Sequence, residues 1–498
     1  MISAKFSSPR LSSALLADLP LAIDRPRYDR GLATAGIVHL GLGAFARAHL
    51  AAYTEDALNA GDLRWGILGA NLNSTEVADA LAPQDFLYSL LTRDVEENRV
   101  QVIGSVLGAV SAKRDPRGVL EALVRPETRI VGLTVTEKGY CLGGDGALDE
   151  RHPGVLADLA SPRSPQSVPG ILVEALRLRR EAGTPPFAVL SLDNLAQNGV
   201  KTRAVAVQFA ERLDSGFGRF IADEVAFPST MVDRIVPATS DEDCIAVEKI
   251  LKLADAAPVV SEPFRQWVVE DRFPLGRPRW EEFGALMTSD VTPYENMKLR
   301  CLNGAHSTLA YLGVCAGVET VSEAMALPGF VEILRRLWRQ DVLPTLRAVP
   351  GAELSGYTRL LEVRFRNPWV RHRVLQISAD GSQKLPPRLI GTALDRLRVG
   401  AQPQIIPLSI AAWMRFLLGR SDAGEIYGIV DPLAQRLTTL AQERAGSAKE
   451  MAGALLAVRE IFPAELAETV SFRSDVEKHL DVMLRRGTSA AITAALAQ

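Results

Sequence analysis

The stretch MKLRCLNGAHS, at 297–307, places polar groups with chemical potential inside an otherwise apolar segment. If residues 292–313 form one helix, turning about 100° per residue, then four polar residues fall within an arc of about 140°: Glu295, Lys298, Asn303 and His306. A lysine removed from water has a lowered pKa, because desolvation disfavours the ammonium form, and it can then accept a proton near neutral pH. The spacing therefore predicts a general base with polar neighbours. The alternative is a solvated face, or core groups satisfied by their surroundings.

Two further polar segments each follow an apolar run that predicts a buried strand. SLDNLAQNG, at 191–199, carries Asp193, Asn194 and Asn198. TVTEKGY, at 134–140, contributes candidate cofactor contacts: Thr136, Glu137 and Lys138. Ligands of doubly wound sheets bind beyond the carboxyl ends of the strands, so both segments are candidates for a binding site. For both, the alternative is an Asx-turn or a helix cap.

A glycine turn lies nearer the start of the chain. Residues 41–46 read Gly-Leu-Gly-Ala-Phe-Ala, between a predicted strand and a predicted helix. Two glycines and a third small residue at this spacing allow the backbone to approach a pyrophosphate at the start of the helix. The candidate cofactor-binding residues are Gly41, Gly43, Ala44 and Phe45. A tight turn without a ligand is the alternative.

The end of the second strand bears on the choice of cofactor. An acidic residue that bonds the ribose hydroxyls is expected there, but the strand runs into Asn71, Leu72 and Asn73. Either asparagine could take that role. No arginine stands beside them to hold a 2′-phosphate, so NAD is favoured over NADP.

The elements that must position these residues can be read from the apolar pattern. Four runs predict strands: GIVHLG (36–41), RWGILGAN (64–71), RIVGLTV (129–135) and FAVLSLD (187–193). A helix is predicted from the glycine turn to Gly61, which makes the first two strands parallel. The first half of the chain is therefore predicted to be an α/β sheet domain of the Rossmann type.

The second half is predicted to be mostly α-helical. Few strand candidates occur after residue 288, and FVEILRRLWRQDVL places one apolar stripe at helical spacing: Val331, Leu334, Leu337, Trp338 and Val342. We place the domain boundary near residue 285. The predicted domains are 1–285, with a lead-in at 1–35, and a helical substrate and catalytic domain at 286–498.

Composition excludes several classes of protein. The chain has 498 residues, of which 47% are hydrophobic, and its net charge is -3. No segment concentrates basic residues, which argues against nucleic acid as a partner. No run approaches the roughly 18 apolar residues of a membrane span, and no secretory signal is evident. The four cysteines lack a Cys-x-x-Cys spacing, which argues against a zinc site and against disulfides. These features predict a cytoplasmic protein without a membrane or metal partner, either a monomer or a weak homo-oligomer.

Six segments in order resemble the mannitol dehydrogenase family of long-chain polyol dehydrogenases, which includes the fructuronate and tagaturonate reductases. They are GLGAFARAH (41–49), TVTEKGY (134–140), SLDNLAQNG (191–199), FPSTMVDRIVP (227–237), VVEDRF (268–273) and KLRCLNGAH (298–306). The resemblance covers nearly the whole chain. It implies metal-independent hydride transfer between NAD(H) and a secondary alcohol or ketone, in a cleft between a Rossmann-type domain and a helical domain.

The resemblance also implies roles for individual residues. Lys298 is similar to the general base that takes the alcohol proton and returns it during reduction. Asn194 and Asn303 resemble the amides that stabilise the developing alkoxide. His306 looks like a substrate-orienting group, and Glu295 like the carboxylate that gates proton exchange with solvent.

Two further segments bear on the substrate. Asp233 matches a family position near the active site, although it is alternatively the partner of Arg234 or of another structural cation. In the segment at 365–388, mannitol-type members tend to have Asp-Thr where this chain has His372 and Arg373, and arginine where it has Gln376. The form HR..QI..DGSQKLP.R is similar to fructuronate reductases, also called D-mannonate oxidoreductases.

The charges of this segment favour the same substrate class. A guanidinium at Arg373 would match a carboxylate, and Lys384 could add a point charge. Alternatively, both line a solvated helix end. We therefore predict a sugar-acid substrate, with His372, Arg373, Lys384 and Asp233 as substrate-binding residues.

Other functions stay open at this point. A mannitol or arabinitol 2-dehydrogenase is the main alternative. A non-catalytic dinucleotide sensor would need the glycine turn but not Lys298, Asn303 and His306 together. A structural helical protein would need neither feature.

Overall fold

The computed structural model describes residues 8–94, 97–144 and 146–497. The chain forms two compact units, Met1–Thr292 and Pro293–Gln498. The division falls a few residues after the position near 285 that the composition of the linker suggested. In the described residues no helix is both long and apolar enough to cross a membrane.

A five-stranded sheet forms the centre of the first unit. Its order is β5-β2-β1-β6-β7, and every neighbouring pair is parallel. The strands are β1 (Ile37–Leu40), β2 (Ile67–Asn71), β5 (Val106–Ser111), β6 (Ile130–Leu133) and β7 (Ala188–Ser191). Strands β1, β6 and β7 are buried along their whole length, as expected for apolar runs in a sheet covered on both faces. All four predicted strands are present, and the predicted Rossmann-type fold class is confirmed.

The described part of the first unit contains ten α-helices. They are α1 (Ala44–Ala48), α2 (Leu50–Asn59), α3 (Glu76–Leu81), α4 (Pro116–Val124), α5 (Thr136–Gly139), α6 (Pro153–Ala160), α7 (Val168–Glu181), α8 (Asn198–Leu213), α9 (Ser215–Glu224) and α10 (Asp241–Leu251). The single helix predicted after the glycine turn is interrupted at His49, whose φ of -113° and ψ of -82° depart from helical values. The chain then continues as α2 and turns at Gly61, where φ is +100°.

Two small sheets complete this unit, and the sequence analysis did not predict their strands. One has the order β4-β3-β9 and the other β11-β10-β8. Their strands are β3 (Tyr88–Thr92), β4 (Arg99–Ile103), β8 (Thr230–Asp233), β9 (Val259–Ser261), β10 (Gln266–Glu270) and β11 (Leu286–Thr288). The chain at 8–35 is part of the fold, because Leu11, Leu19 and Ile23 join the apolar cluster on the first of these sheets.

The second unit is helical, and among the residues described up to 497 no strand follows β11. Its helices are α11 (Thr292–Met297), α12 (Gly304–Ala316), α13 (Val321–Ala326), α14 (Phe330–Arg336), α15 (Leu354–Phe365), α16 (Val374–Ile377), α17 (Gly381–Leu385), α18 (Gly391–Arg398), α19 (Ile406–Phe416), α20 (Ala434–Glu443), α21 (Ala448–Leu456), α22 (Ala464–Ala467), α23 (Val470–Arg486) and α24 (Thr488–Leu496). The predicted helical character of this half is confirmed.

Three π-helical segments interrupt these helices, at Lys298–Asn303, Leu337–Val342 and Pro386–Ile390. Such segments are rare and are frequent at functional sites. The second of them carries part of the predicted apolar stripe, in which Leu334, Leu337, Trp338 and Val342 are buried while Val331 is half-buried.

Candidate active site

The glycine turn has the geometry that its sequence predicts. Gly41 has φ of +91°, and a Cβ there would lie 2.1 Å from the Thr134 carbonyl oxygen, so only glycine fits. Gly43 is exposed, and the nearest neighbour of a Cβ there would be 3.9 Å away. Ala46 is buried under the first turn of the helix. These residues fit a dinucleotide, since the exposed second glycine leaves the backbone open to a pyrophosphate.

The turn is held from beneath by two polar side chains. Thr134 Oγ1 donates a hydrogen bond to the Gly41 carbonyl at 2.6 Å and lies 2.9 Å from His39 Nε2. Because the Thr134 proton is used on Gly41, His39 Nε2 must be the donor of the second bond. Burial lowers the pKa of His39 to about 3, so this histidine is neutral at ordinary pH.

Asn71 also supports the turn. Its Oδ1 accepts a hydrogen bond from the Leu42 backbone N–H at 2.8 Å, and the residue is only 8% exposed. Asn73, the other asparagine considered for the ribose, is exposed. Asn71 therefore positions the glycine turn, and Asn73 is the more accessible of the two for a ribose hydroxyl.

Asp193 ties the ends of β6 and β7 together. Its Oδ2 accepts hydrogen bonds from the Val135 N–H at 2.9 Å and the Tyr140 hydroxyl at 2.7 Å, and its Oδ1 accepts one from the Thr136 N–H at 3.1 Å. Burial raises the pKa of Asp193, although these hydrogen bonds oppose the shift. Thr136 has φ of +64°, a strained conformation for a β-branched residue. Asp193 thus holds the loop after β6 and the start of α5 in one conformation, and residues 136–138 of α5 are exposed.

Asn198 is also a structural residue. Its Nδ2 donates to the Ser191 carbonyl at 3.2 Å and to the Thr230 carbonyl at 3.0 Å, and its Oδ1 accepts from the Thr230 N–H at 2.9 Å. The hydrogen bonds of Asp193 and Asn198 therefore join separate segments of the first unit, whereas an Asx-turn would bond backbone two residues further on. Asn194, between them, is exposed on this fixed loop.

Asp233 lies buried at the end of β8. The adjacent Arg234 donates to the Ala48 carbonyl and, from Nη2, to the Glu262 carbonyl at 3.3 Å. Burial lowers the pKa of Arg234 to about 10. Asp233 is the last residue of β8, so the backbone of this strand fixes the position of its buried carboxylate.

In the second unit, the predicted base lies on a π turn. The segment Lys298–Asn303 connects α11 and α12, and the Gly304 N–H bonds the Leu299 carbonyl five residues earlier. The uniform α-helical geometry assumed from the sequence is therefore wrong for this turn. Because a π turn bonds residues five apart, Lys298 and Asn303 lie closer to one another around the helix than in an α-helix. Both are buried, and Glu295, one turn earlier, is half-buried.

His306 lies one turn further on and is enclosed by rings. Its centroid is 4.6 Å from that of Phe365 and 4.9 Å from that of His372, which it meets nearly edge to face. Burial, and then the basic groups nearby, hold the pKa of His306 well below its usual range. Burial likewise lowers the pKa of His372 to about 4. The imidazoles of His306 and His372 are therefore both neutral and lie in contact with each other inside the helical unit.

The basic residues predicted to bind the substrate are placed differently from one another. Arg373 pairs with Glu319 at 2.6 Å, and both side chains are more than half exposed. Lys384 is half-buried, 3.8 Å from Asp380, and its charge acts on His372. The charge of Lys384 therefore reaches the histidine pair, whereas Arg373 lies at the exposed surface and pairs with Glu319 there.

One basic residue of this region was not selected from the sequence. Arg388 donates from Nη1 to the Ser307 hydroxyl at 3.2 Å, and its charge acts on His306. Arg388 is the last residue of the segment 365–388, which was selected for its basic residues. A local sequence pattern does not show that this arginine contacts Ser307, 81 positions away.

The described residues contain no cluster of metal ligands, and burial raises the pKa of every cysteine thiol. Within the described residues, no group of three or more His, Cys, Asp or Glu side chains is placed to hold a metal ion. All four cysteines are buried and unpaired. Burial raises the pKa of Cys301, inside the π turn, to about 12, which keeps this thiol protonated.

Comparison with family models covers most of the chain. The model described as the mannitol dehydrogenase Rossmann domain matches residues 35–282, and the model described as the mannitol dehydrogenase C-terminal domain matches residues 290–484.

Two relatives with different names are similar to this chain over almost its full length. D-mannonate oxidoreductase of Escherichia coli (strain K12) is 39% identical over 484 residues, covering 96% of this chain and 99% of the relative. Mannitol 2-dehydrogenase of Cereibacter sphaeroides is 38% identical over 479 residues, covering 96% of this chain and 99% of the relative. Overall identity therefore does not separate the sugar-acid class from the polyol class.

A solved structure matches the fold in the same way. The ternary complex of Pseudomonas fluorescens mannitol 2-dehydrogenase with NAD and D-mannitol has a TM-score of 0.88 and 37% sequence identity. The match covers 98% of this chain and 100% of that chain.

Proposed function

Since this chain belongs to the mannitol dehydrogenase family, it is an oxidoreductase of CH–OH groups, and we propose that its substrate is a sugar acid. The proposed reaction interconverts a secondary alcohol and a ketone in a compound of the D-mannonate and D-fructuronate type, with NAD(H) as the cofactor. Reduction of a ketose to mannitol or arabinitol is the alternative.

The basic surroundings of the histidine pair carry the proposal for a sugar acid. The charges that act on His306 include Arg388, Arg364 and Lys298, and Lys384 acts on His372. A neutral polyol gains little from such a field, whereas a carboxylate is stabilised by it. The name of the E. coli relative, D-mannonate oxidoreductase, agrees with this substrate class.

NAD(H) is the proposed cofactor, and when bound it supplies the hydride for reduction or accepts it in oxidation. Gly41, Gly43, Ala44 and Phe45 would hold it along the glycine turn, together with the exposed loop at 136–138. Asn73, more accessible than Asn71, would bond a ribose hydroxyl. The solved relative with NAD bound supports this cofactor, and NADP is the less favoured choice.

The proton in this reaction is assigned to Lys298. In oxidation the amine of Lys298 takes the proton of the alcohol, and in reduction its ammonium returns it, so no metal ion is needed to polarise the oxygen. Burial of a lysine reduces the cost of losing its charge, which suits a base that works near neutral pH. Glu295, half-buried one turn away, would exchange that proton with solvent.

The remaining polar residues are proposed to bind and orient the substrate. The amides of Asn194 and Asn303 would stabilise the alkoxide as it develops, since donors fixed in advance need no reorganisation. His306, kept neutral by burial, would orient a substrate hydroxyl. Asp233, in the first unit, would also bind the substrate.

A mannitol 2-dehydrogenase is the second candidate because one observation favours it. Arg373, the arginine that first suggested a carboxylate site, is engaged by Glu319 at the exposed surface. If no other group bound a carboxylate, the substrate would be a neutral ketose such as D-fructose.

The proposal is tested by an assay of D-fructuronate reduction by NADH, in which the loss of NADH absorbance measures the rate. We expect turnover by the natural chain and a loss of at least about 1,000-fold in kcat for Lys298→Ala, because the proton would have no carrier. NADH binding by the variant should be nearly unchanged. Absence of turnover with D-fructuronate would overturn the proposed substrate, and full activity of Lys298→Ala would overturn the assigned base. The oligomeric state, a monomer or a weak homo-oligomer, and the location in the cytoplasm stay predictions.

A further inference from the structure

Resting on the proposed function, we infer that Arg388, and not Arg373, binds the carboxylate of the substrate. Arg388 would then determine the specificity for a sugar acid. It lies in the helical unit, near His306 and the π turn that carries Lys298.

The backbone brings Arg388 to this turn. The π segment Pro386–Ile390 packs against Gly304, where a Cβ would lie only 3.1 Å from the Arg388 carbonyl oxygen. That contact is tighter than an ordinary van der Waals contact, so the glycine between Asn303 and His306 is what permits it. Arg388 is thereby fixed directly beside the turn that presents the predicted base.

The side chain is oriented toward the same place. Its Nη1 donates to the hydroxyl of Ser307 at 3.2 Å, and Ser307 is 1% exposed and adjacent to His306. Arg388 itself is half-buried. A hydrogen bond to a buried hydroxyl restricts the orientation of the guanidinium, and a planar guanidinium held near this turn can offer a carboxylate two parallel hydrogen bonds.

The histidine pair beside it has unused hydrogen-bonding groups. His306 Nε2 and His372 Nδ1 are both buried and have no hydrogen-bond partner among the described residues. Buried polar atoms are nearly always paired, so two of them in contacting rings indicate a place for a polar ligand. Hydroxyl groups of a sugar would pair the imidazole nitrogens, and a carboxylate on the same sugar would pair Arg388.

Arg373 lacks these features. Its side chain is 66% exposed and bonds Glu319, whereas Arg388 is half-buried and bonds Ser307 next to His306. Arg373 belongs to the same segment and has the same charge as Arg388, so Arg373→Gln is a matched control for Arg388→Gln.

The test measures kcat/KM for D-fructuronate and D-fructose with NADH in the natural chain, Arg388→Gln, Arg388→Lys and Arg373→Gln. We expect Arg388→Gln to lower kcat/KM for D-fructuronate by about 100-fold, mainly through KM, and that for D-fructose by less than about 3-fold. Arg388→Lys, which keeps the charge but not the planar fork, should recover about 10-fold of the loss. Arg373→Gln should stay within about 3-fold of the natural chain on both substrates.

A second measurement separates binding from folding. Isothermal titration of D-mannonate into the enzyme saturated with NADH should show weaker binding for Arg388→Gln by a similar factor, with NADH affinity unchanged. Equal losses on both sugars, or loss of NADH binding, would mean that Arg388 is structural and would overturn the inference. A selective loss in Arg373→Gln instead would reassign the carboxylate to Arg373. If the natural chain itself prefers D-fructose, the proposed function fails and the inference fails with it, whereas a preference for D-fructuronate that survives in Arg388→Gln overturns the inference alone.

Discussion

The phenol of Tyr140 donates a hydrogen bond to the carboxylate of Asp193 at 2.7 Å, joining the loop after β6 to the loop after β7. The same carboxylate accepts the backbone N–H groups of Val135 and Thr136. One half-buried side chain therefore sets the conformation of the loop after β6 and of the start of α5, which carries the proposed cofactor contacts at 136–138.

Replacing Asp193 should loosen that loop. In Asp193→Ala the two N–H groups and the phenol lose their acceptor, and Thr136 can leave its strained conformation. We expect NADH affinity to fall by about 10-fold or more, measured by quenching of protein fluorescence. Tyr140→Phe, which removes one of the three donors, should give a smaller loss. Unchanged affinity in both variants would show that this loop does not contact the cofactor.

Asn71 and Asn73 should differ in kind. Asn71→Ala leaves the buried N–H of Leu42 without its acceptor, which costs about 1–3 kcal/mol of stability and displaces the glycine turn. We expect a lower melting temperature together with weaker NADH binding. Asn73→Ala, at an exposed position, should weaken NADH binding without changing the melting temperature. If Asn71→Ala melts and binds like the natural chain, the turn is held by other contacts.

Glu55 should make the stability of the first unit depend on pH. Burial raises the pKa of Glu55 to about 7, although its Oε2 accepts hydrogen bonds from the Gly104 N–H at 2.8 Å and the Tyr28 hydroxyl at 3.1 Å. The folded state then binds a proton that the unfolded state has lost, so the free energy of unfolding falls as the pH rises from about 4.5 to about 7.

Substitution of Glu55 by glutamine should remove this dependence. Relative to Glu55→Gln, the natural chain should lose up to about 3 kcal/mol of stability across that pH range, measured by urea unfolding. Glu76→Gln, at an exposed position in the first turn of α3, is the matched control and should leave the pH dependence in place. A parallel pair of curves for the natural chain and Glu55→Gln would contradict the assigned pKa.

His306 should act as a neutral group. Because burial keeps the pKa values of His306 and His372 below the range of an ordinary assay, neither should appear in the pH profile of kcat/KM. His306→Gln is therefore expected to lower kcat/KM by a constant factor from about pH 6 to pH 10, without moving the acid limb of the profile. A displaced acid limb would show that His306 titrates during turnover.

The elements that the sequence predicts well are those with a strong local pattern. The four apolar runs became β1, β2, β6 and β7, because a parallel sheet covered on both faces requires continuous apolar strands. The glycine turn was predictable because Gly41 must adopt a positive φ. Strands β3 to β5 and β8 to β11, three to six residues long, were not predicted, because a strand this short gives no clear period unless it lies in a longer apolar run, as β1, β6 and β7 do.

The features that sequence could not supply depend on distant contacts. The π turn at Lys298–Asn303 leaves the apolar pattern of its helix intact, so periodicity gives no signal of it. Arg373 and Arg388 look alike in sequence, and only the fold pairs one with Glu319 and the other with Ser307. Asn71 was a candidate for binding the ribose, but in the folded chain its side chain accepts a hydrogen bond from the backbone N–H of Leu42.

A sugar-acid substrate is distinguished from a neutral one by kcat/KM for NADH-dependent reduction of D-fructuronate, D-tagaturonate and D-fructose, measured side by side on the purified natural chain. We predict a preference for a uronate over D-fructose of at least about tenfold, which corresponds to about 1.4 kcal/mol of transition-state discrimination. The reverse assay should then favour D-mannonate over D-mannitol. A preference for D-fructose and D-mannitol would contradict the sugar-acid substrate and identify the protein as a polyol dehydrogenase whose basic residues around His306 have a structural role.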